Sequence, residues 1–600
     1  MTVDHVLLDL PTRATALGSW LLRLLPVELQ GCLNESGSSE ADRRAIHAHL
    51  AHLLTALNAM VPRWLVQAVD DHDTSRAYGQ EATLLFADVS GFTPLTAQME
   101  TRGRSGTEFI TTTLNQLFTT IVPIALACDG DLLAFGGDAI LVAFRNPGHT
   151  LAATSAAWQM QQALAALDRA PVGTTAPSLR VQVKIGLASG PLVLASVGTA
   201  TRRVPLVLGS VLDTTDMIAN ATAPGGIRLD ARAAVAAAPF ADLAAQPDGS
   251  ALLLGLRASL PSVDTLRSPS DDSGVADLAN VGIGELLTRI SALAAYLPAD
   301  LFAALAGTPD SAPGDGEQRH VISLFAHLAG LHQLADGLGL ERAEQSAALA
   351  ALAISRALTV IESHGGVVAR VDTYPGGHKL LALFGAPVAH EQEAQRAVQA
   401  ALALRAALPQ INAEVVGLIG DALGVPSDSA ASAYAPLGVR VGIHAGPVVA
   451  GLIGSPRRWE YTVMGDSVNV AARLMGQARL AQGEVLVGPG IAQQLGDQLD
   501  AEAYTLLLKG KREPLTAWSV ARLRADARPR PAQATPLVGR DWECQSLQAA
   551  AHALSGGAAR LVFIQGEAGI GKTRLAGELA PLLGPGVLCV QTGSPGLVPV

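Results

Sequence analysis

Cysteine is scarce in this chain and scattered. Four residues among 600, Cys32, Cys128, Cys544 and Cys589, form no CxxC pair and have no histidine at metal-ligand spacing. That excludes a disulfide scaffold and a zinc module, and leaves free buried thiols as the expectation. Positive charge is also short: the formal net charge is −11, with no basic stripe to displace counterions from a phosphate backbone. Nucleic acid is therefore not expected as a partner. No uninterrupted apolar run reaches the ~18–20 residues of a spanning helix, and the N-terminal MTVDHVLLDL lacks the charged-then-apolar order of a signal peptide. The expectation is a cytoplasmic protein with no membrane partner.

What the chain has instead is internal repetition. VKIGLASGPLVLASVG, from Val183 to Gly198, falls onto VRVGIHAGPVVAGLIG, from Val439 to Gly454, at a constant offset that persists to Gly209 and Gly465. Upstream, LLFADVSGF around Asp88 pairs with SLFAHLAGL around His327, and GGDAILVAF around Asp138 pairs with GGHKLLALF around His378. The two copies differ at their charged positions. Each holds a different part of a polar set, as expected if one site lies at their interface.

Six hundred residues allow three or four domains. Residues 1–78 show helical spacing, through Leu50, Leu53, Leu54 and Leu57 among others. The first copy, 79–255, then gives an apolar strand ending at Asp88 and a Ser90-Gly91 turn. Helices up to Leu126 follow, then a hairpin with Asp138 at its tip, a further helix, and a strand from Val181 to Leu187. Strand, helix, hairpin, helix, strand is the order of a ferredoxin-like α+β domain. A linker is expected over 256–284, the second copy over 285–522, and a Pro- and Arg-rich tether over 523–535. The last segment, 536–600, opens an α/β P-loop domain: GEAGIGKT follows an apolar strand at Leu561 to Gln565 and precedes a helix. Gly566, Gly571 and Lys572 are placed to hold phosphates and Thr573 to ligand Mg²⁺. No acidic Walker B strand follows, and the chain is expected to be the N-terminal portion of a longer protein.

Asp88 and Asp138 sit at strand ends beside glycines. With the Val89 carbonyl they offer the hard oxygen ligands that suit Mg²⁺. Either aspartate alone reads equally well as a cap or turn residue; their joint replacement by His327 and His378 argues for a ligand role. Asn469 and Arg473, four apart after the Gly465-Asp466 turn, share one helix face. Their first-copy counterparts are Asp213 and Met217.

These motifs, FADVSGFT, FGGDAILVAF, VKIGLASG and EYTVMGDSVNVAARL, together resemble a tandem class III nucleotidyl cyclase of the soluble, bicarbonate-responsive adenylyl type, over about 80 to 520. The resemblance implies two ferredoxin-like domains forming a pseudo-symmetric pair within one chain, so that no oligomer is required for the site. It implies two ions, Mg²⁺ or Mn²⁺, held at Asp88, Val89 and Asp138, and ATP as substrate. Asn469 would orient the ribose, Arg473 would stabilise the transition state, Thr462 would contact adenine, and Lys184 and Lys509 would meet phosphates. The backbone of Ser90, Gly91, Phe92 and Thr93 would cradle the β and γ phosphates as helix N-termini do. The family's adenine-reading lysine falls on Arg370. Ala134 and Asp216 stand where that branch places its bicarbonate-holding cations. The following P-loop segment, led by LVGR at Leu537 to Arg540, resembles an AAA or STAND NTPase, a candidate partner for regulatory coupling. Two alternatives stay open: a degenerate pair that binds nucleotide and regulates the NTPase, and a guanylyl cyclase.

Overall fold

The structure is a computed structural model that describes residues 24–30, 39–72, 77–90, 104–167, 182–199, 202–257, 278, 280–307, 317–386, 389–426, 429, 434–508, 513–524, 539–555, 562–564 and 575. A single helical turn over Val27–Gln30 comes first, followed by two helices, α1 (Glu40–Asn58) and α2 (Arg63–Asp70). Ser39 caps α1 and Asp42 returns the bond to the Ser39 backbone, which satisfies two otherwise orphaned donors.

The first sheet contains β1 (Ala77–Ser90), β2 (Asp131–Phe135), β3 (Ala139–Phe144), β4 (Gln182–Gly198), β5 (Arg203–Leu208), β6 (Ile227–Leu229), β7 (Ala241–Ala245) and β8 (Ala251–Leu256). Its eight strands run in the order β2-β3-β1-β4-β6-β8-β7, with β5 paired to β4. Helices α3 (Arg104–Ala127), α4 (His149–Leu167), α5 (Val211–Asn220) and α6 (Ala231–Ala237) complete that domain. β1 and β4 are each longer than the short runs the sequence suggests, because they stay paired with each other past those runs, from Ala77 opposite Ala195 to Ser90 opposite Gln182.

Helices α7 (Ile283–Ala294) and α8 (Ala299–Gly307) precede the second sheet. The expected start of the second copy at 285 falls inside α7, yet these helices do not join the second domain. Leu286, Leu287, Ile290 and Leu293 pack with Leu50, Leu54 and Trp64 over Leu84, Leu192 and Leu194 of the first sheet. An amphipathic stripe shows that a face is buried; it does not show against what.

The second sheet repeats the first as β9 (Glu317–Ala329), β10 (Val367–Tyr374), β11 (Gly377–Phe384), β12 (Gly438–Ser455), β13 (Arg458–Met464), β14 (Val485–Val487), β15 (Leu499–Leu506) and β16 (Leu515–Leu523). The order is β10-β11-β9-β12-β14-β16-β15, with β13 paired to β12. Its helices are α9 (Leu331–Leu338), α10 (Ala343–Ser363), α11 (Glu393–Leu423), α12 (Asp466–Gln477) and α13 (Pro489–Leu495), and a last helix, α14 (Asp541–Ser555), follows the tether. Two helical stretches, Leu340–Ser363 and Glu393–Leu423, are long and apolar enough to cross a membrane by length and composition, through their alanines and despite charges such as Glu344, Arg356 and Arg405. Ile354, Leu358, Val398 and Leu404 on these helices lie in the core of the second domain.

The two domains embrace head to tail. Ile453 of the β12–β13 hairpin belongs to the core of the first domain, beside Phe118 and Phe135. Reciprocally, Val193, Val197, Leu206 and Leu208 of the β4–β5 hairpin belong to the core of the second. Each buried leucine contributes on the order of 2 kcal/mol by removal from water, so this exchange alone fixes the pairing.

Candidate active site

The first domain supplies two carboxylates. Asp88 lies on β1 in register with Ala139 of β3 and Lys184 of β4, so the sheet itself sets Asp88 next to the hairpin that carries Asp138. Gly136 donates to the Ala139 carbonyl at 2.7 Å and Gly137 takes φ +82°, a turn that only glycine makes without strain. Asp88 is ion-paired to Lys184 at 2.8 Å. The Asp138 carboxyl is pushed up to about 7, first by burial and then by the charge of Asp88, against smaller opposing fields from Lys184 and Lys379. Two carboxylates held together with too little positive charge form a cation-seeking site, and hard oxygen donors suit Mg²⁺ or Mn²⁺. The residues therefore fit the divalent metal the sequence implies.

The second domain meets this site at the Phe135 backbone. Arg370 Nη1 donates to the Phe135 carbonyl at 3.1 Å, and the Phe135 N–H donates to Glu460 Oε2 at 3.2 Å. Arg370 is held in turn by Asp372 at 3.0 Å and faces Glu460 Oε1 at 3.7 Å. Gly454 donates to Asn115 Oδ1 at 3.1 Å, a further bond between the domains. Thr462, two residues along β13 from Glu460, is 2% exposed and its Oγ1 has no hydrogen-bond partner among the described residues. An unpaired buried hydroxyl costs about 1–3 kcal/mol, which makes it a ready contact for a ligand.

Asn469 and Arg473 lie on α12, which follows β13 directly. Gly442 lets this helix approach β12, since a Cβ there would stand 2.2 Å from the Met475 nitrogen; Gly186 does the same for α5 in the first domain, at 2.5 Å from the Ala219 nitrogen. Asn469 and Arg473 are half-buried and make no side-chain hydrogen bond among the described residues. The structure thus brings Asp88, Asp138 and Lys184 together, sets Arg370 and Thr462 across the domain boundary, and gives the Asn469 and Arg473 side chains no hydrogen-bond partner among the described residues. Ser90 ends β1 with its Oγ buried and unpaired, and Val89 sits beside it. Gly91, Phe92, Thr93, Lys509 and the P-loop residues Gly566, Gly571, Lys572 and Thr573 lie outside the described residues.

Three further residues belong to this boundary and escaped the reading of the sequence. Glu460 and Asp372 clamp Arg370. Lys379, 3.9 Å from Asp372, has its ammonium pKa lowered by burial, opposed by the fields of Asp372, Asp216 and Asp138. The available signal was a single lysine in an otherwise apolar strand, GGHKLLALF.

At the pseudo-symmetric counterpart histidines stand in the metal-ligand positions and bond within the protein. His378 Nε2 meets the Val207 carbonyl at 2.8 Å, His332 meets Asp213 at 3.1 Å, and the Gly376 N–H donates to Asp213 at 2.9 Å. Burial holds His378 far below the usual histidine range and, with help from Arg440, His327 at about 4. Ala134 and Asp216 line a neighbouring cavity of about 300 Å³ together with Asp213, Asp372 and Lys379.

Paired α+β sheets with a split carboxylate-and-cation site define a nucleotide-converting class of protein. The chain belongs to the adenylate and guanylate cyclase catalytic-domain family, whose model matches residues 75–236 and 318–518; residues 536–596 match an AAA ATPase domain. Among relatives, it is 30% identical over 162 residues to "Adenylate cyclase 1" of Rhizobium meliloti, covering 27% of this chain and 22% of that protein. It is 23% identical over 409 residues to "Adenylate cyclase type 10" of Mus musculus, covering 66% of this chain and 24% of that protein. The chain thus spans about a quarter of the length of these relatives. The solved guanylyl cyclase Cya2 is 28% identical over 36% of this chain and 98% of its own, with TM-score 0.29. A class III adenylyl cyclase-like ATP-binding protein from Pseudomonas aeruginosa is 16% identical over 72% of this chain and 95% of its own, with TM-score 0.46.

Proposed function

We propose that the chain is an adenylyl cyclase, converting ATP to 3′,5′-cyclic AMP and pyrophosphate at one composite site between its two domains. The observation that carries this reading is the division of labour across Phe135. Cation-seeking carboxylates stand on one side; a clamped arginine and an unpaired buried hydroxyl stand on the other.

In the reaction the ribose 3′-oxygen attacks the α-phosphorus, its proton leaves, and the bond to the β-phosphate oxygen breaks. Asp88 and Asp138, with the Val89 carbonyl, would hold the metal. The chemistry that two Mg²⁺ or Mn²⁺ ions supply when bound there is Lewis acidity toward the attacking hydroxyl and the leaving pyrophosphate. Lys184 must leave Asp88 to meet the phosphates, so nucleotide binding exchanges one ion pair for another. Asn469 orients the ribose, and Arg473 spreads its guanidinium over charge developing at the α-phosphate. Arg370 and Thr462 donate toward ring nitrogens of adenine. A cytoplasmic site of action and regulatory coupling to the following AAA domain are part of the same proposal.

The test is product analysis. Purified chain with Mn²⁺ and either ATP or GTP should give cyclic AMP with the higher kcat/KM, and Asp88→Ala should give none. Equal efficiency for the two nucleotides would remove the adenine assignment, and a product unaffected by Asp88→Ala would remove the site.

A further inference from the structure

A cavity of about 1100 Å³ lies in the second domain at the phosphate side of the pseudo-site and takes no part in the proposed reaction. Its lining contains His327, Gln333, Arg405 and Arg440, with Gly330 at the start of α9, and no aspartate or glutamate among the described residues. Guanidinium groups lining a cleft with one sign of charge focus its field on an anionic ligand.

The polar groups are oriented as donors. Arg440 spends Nε on His327 Nδ1 at 3.1 Å and Nη1 on the carbonyls of Gly476 and Ala478, at 3.1 and 3.3 Å. Among the described residues it has no ion pair, and its guanidinium lies over the Tyr374 ring, 5.8 Å from the centroid. Because His327 Nδ1 accepts from Arg440, its Nε2 carries the ring proton. That nitrogen is buried against the Pro375 backbone, on a residue only 2% exposed, and meets no strict hydrogen-bonding geometry among the described residues. Gly330 is the N-cap of α9 and offers no side-chain cap, so the first N–H groups of that helix are left for another acceptor. Arg405 lines the cavity further along, its guanidinium bonded to the carbonyls of Val520 and Ala521 and to no carboxylate among the described residues.

We propose that this cavity is a second, metal-independent anion site that takes a ligand bearing a di- or triphosphate group. A helix N-terminus, a buried imidazole N–H and an uncompensated guanidinium are donors matched to phosphate oxygens. The volume exceeds what one phosphate fills and is that of a nucleotide-sized pocket. The histidines that end metal binding at the pseudo-site thus leave a place where fixed donors replace the metal's charge.

The experiment is calorimetry on the full chain carrying Lys572→Ala, which silences the P-loop, in excess EDTA, with tripolyphosphate and with ATP as separate titrants. One site for tripolyphosphate should persist in EDTA, weaken with salt, and lose at least tenfold in affinity with Arg440→Gln. Gln333→Glu, an exposed change on the first turn of α9 that leaves the fold intact, should weaken it severalfold by placing a carboxylate in the lining. ATP binding tighter than tripolyphosphate identifies a nucleotide ligand; equal affinities identify the phosphate chain alone. Absence of EDTA-resistant binding, or an affinity untouched by both variants, would overturn the proposal.

Discussion

Asp138→Asn should stabilise the metal-free protein at alkaline pH while destroying its activity. The Asp138 carboxyl is raised from 3.8 to about 7 in the folded chain, chiefly by burial. Between these values the folded state binds more protons than the unfolded state, so stability falls as pH rises through this window and the full cost is present above pH 7. A shift of about three units corresponds to a ceiling of ~4 kcal/mol; with relaxation and water penetration about 2 kcal/mol is the working figure. Asparagine keeps the shape and removes the charge. In EDTA at pH 8 the variant should therefore melt about 4–8 °C above the parent, taking ~2–4 °C per kcal/mol for domains of this size. At pH 4 the two should coincide. Differential scanning calorimetry across pH 4–8 measures this directly, and adding Mg²⁺ should raise the parent's melting temperature and not the variant's. A variant less stable than the parent at pH 8, or a difference independent of pH, would refute the electrostatic account of this carboxylate pair.

Other outcomes follow from the same boundary. Glu460→Gln loosens the clamp on Arg370 and weakens the bond from the Phe135 N–H, so KM for ATP should rise severalfold and stability should drop by about 1–2 kcal/mol; kinetics and melting temperature equal to the parent's would show the clamp to be idle. Bicarbonate should not stimulate at constant pH and ionic strength, because Ala134 gives no cation and Asp213, Asp216 and Asp372 outnumber Lys379 in the adjacent cavity. A saturable, severalfold activation would place the ion elsewhere.

Much of the architecture was legible because it is local. Alternating apolar strands, the Gly136-Gly137 turn and the repeat itself announce two α+β domains, and FADVSGFT and EYTVMGDSVNVAAR carry the site residues on their faces. What escaped depends on contacts between distant segments. Periodicity marks α7 as amphipathic, yet its partner is the first sheet together with α1, more than two hundred residues away. In sequence Arg370 is only the position where the family's adenine-reading lysine falls; the structure shows it also bound to Asp372, Glu460 and the Phe135 carbonyl, a set drawn from three strands of two domains. Lys379 looks like an intruder in a buried strand until Asp372, Asp216 and Asp138 are seen around it. The arginine-lined cavity was invisible for the same reason, since His327, Arg405 and Arg440 come from three separate elements.

The central claim is that one catalytic site is assembled from both halves of a single chain. Its most direct test is the rate of cyclic AMP formation by Asp138→Ala, by Arg473→Ala, and by an equimolar mixture of the two. The account predicts that each variant loses at least a hundredfold in kcat, as removal of a metal ligand or of a transition-state cation does, and that the mixture stays as inactive as its parts. Near-parental activity in either single variant would contradict it.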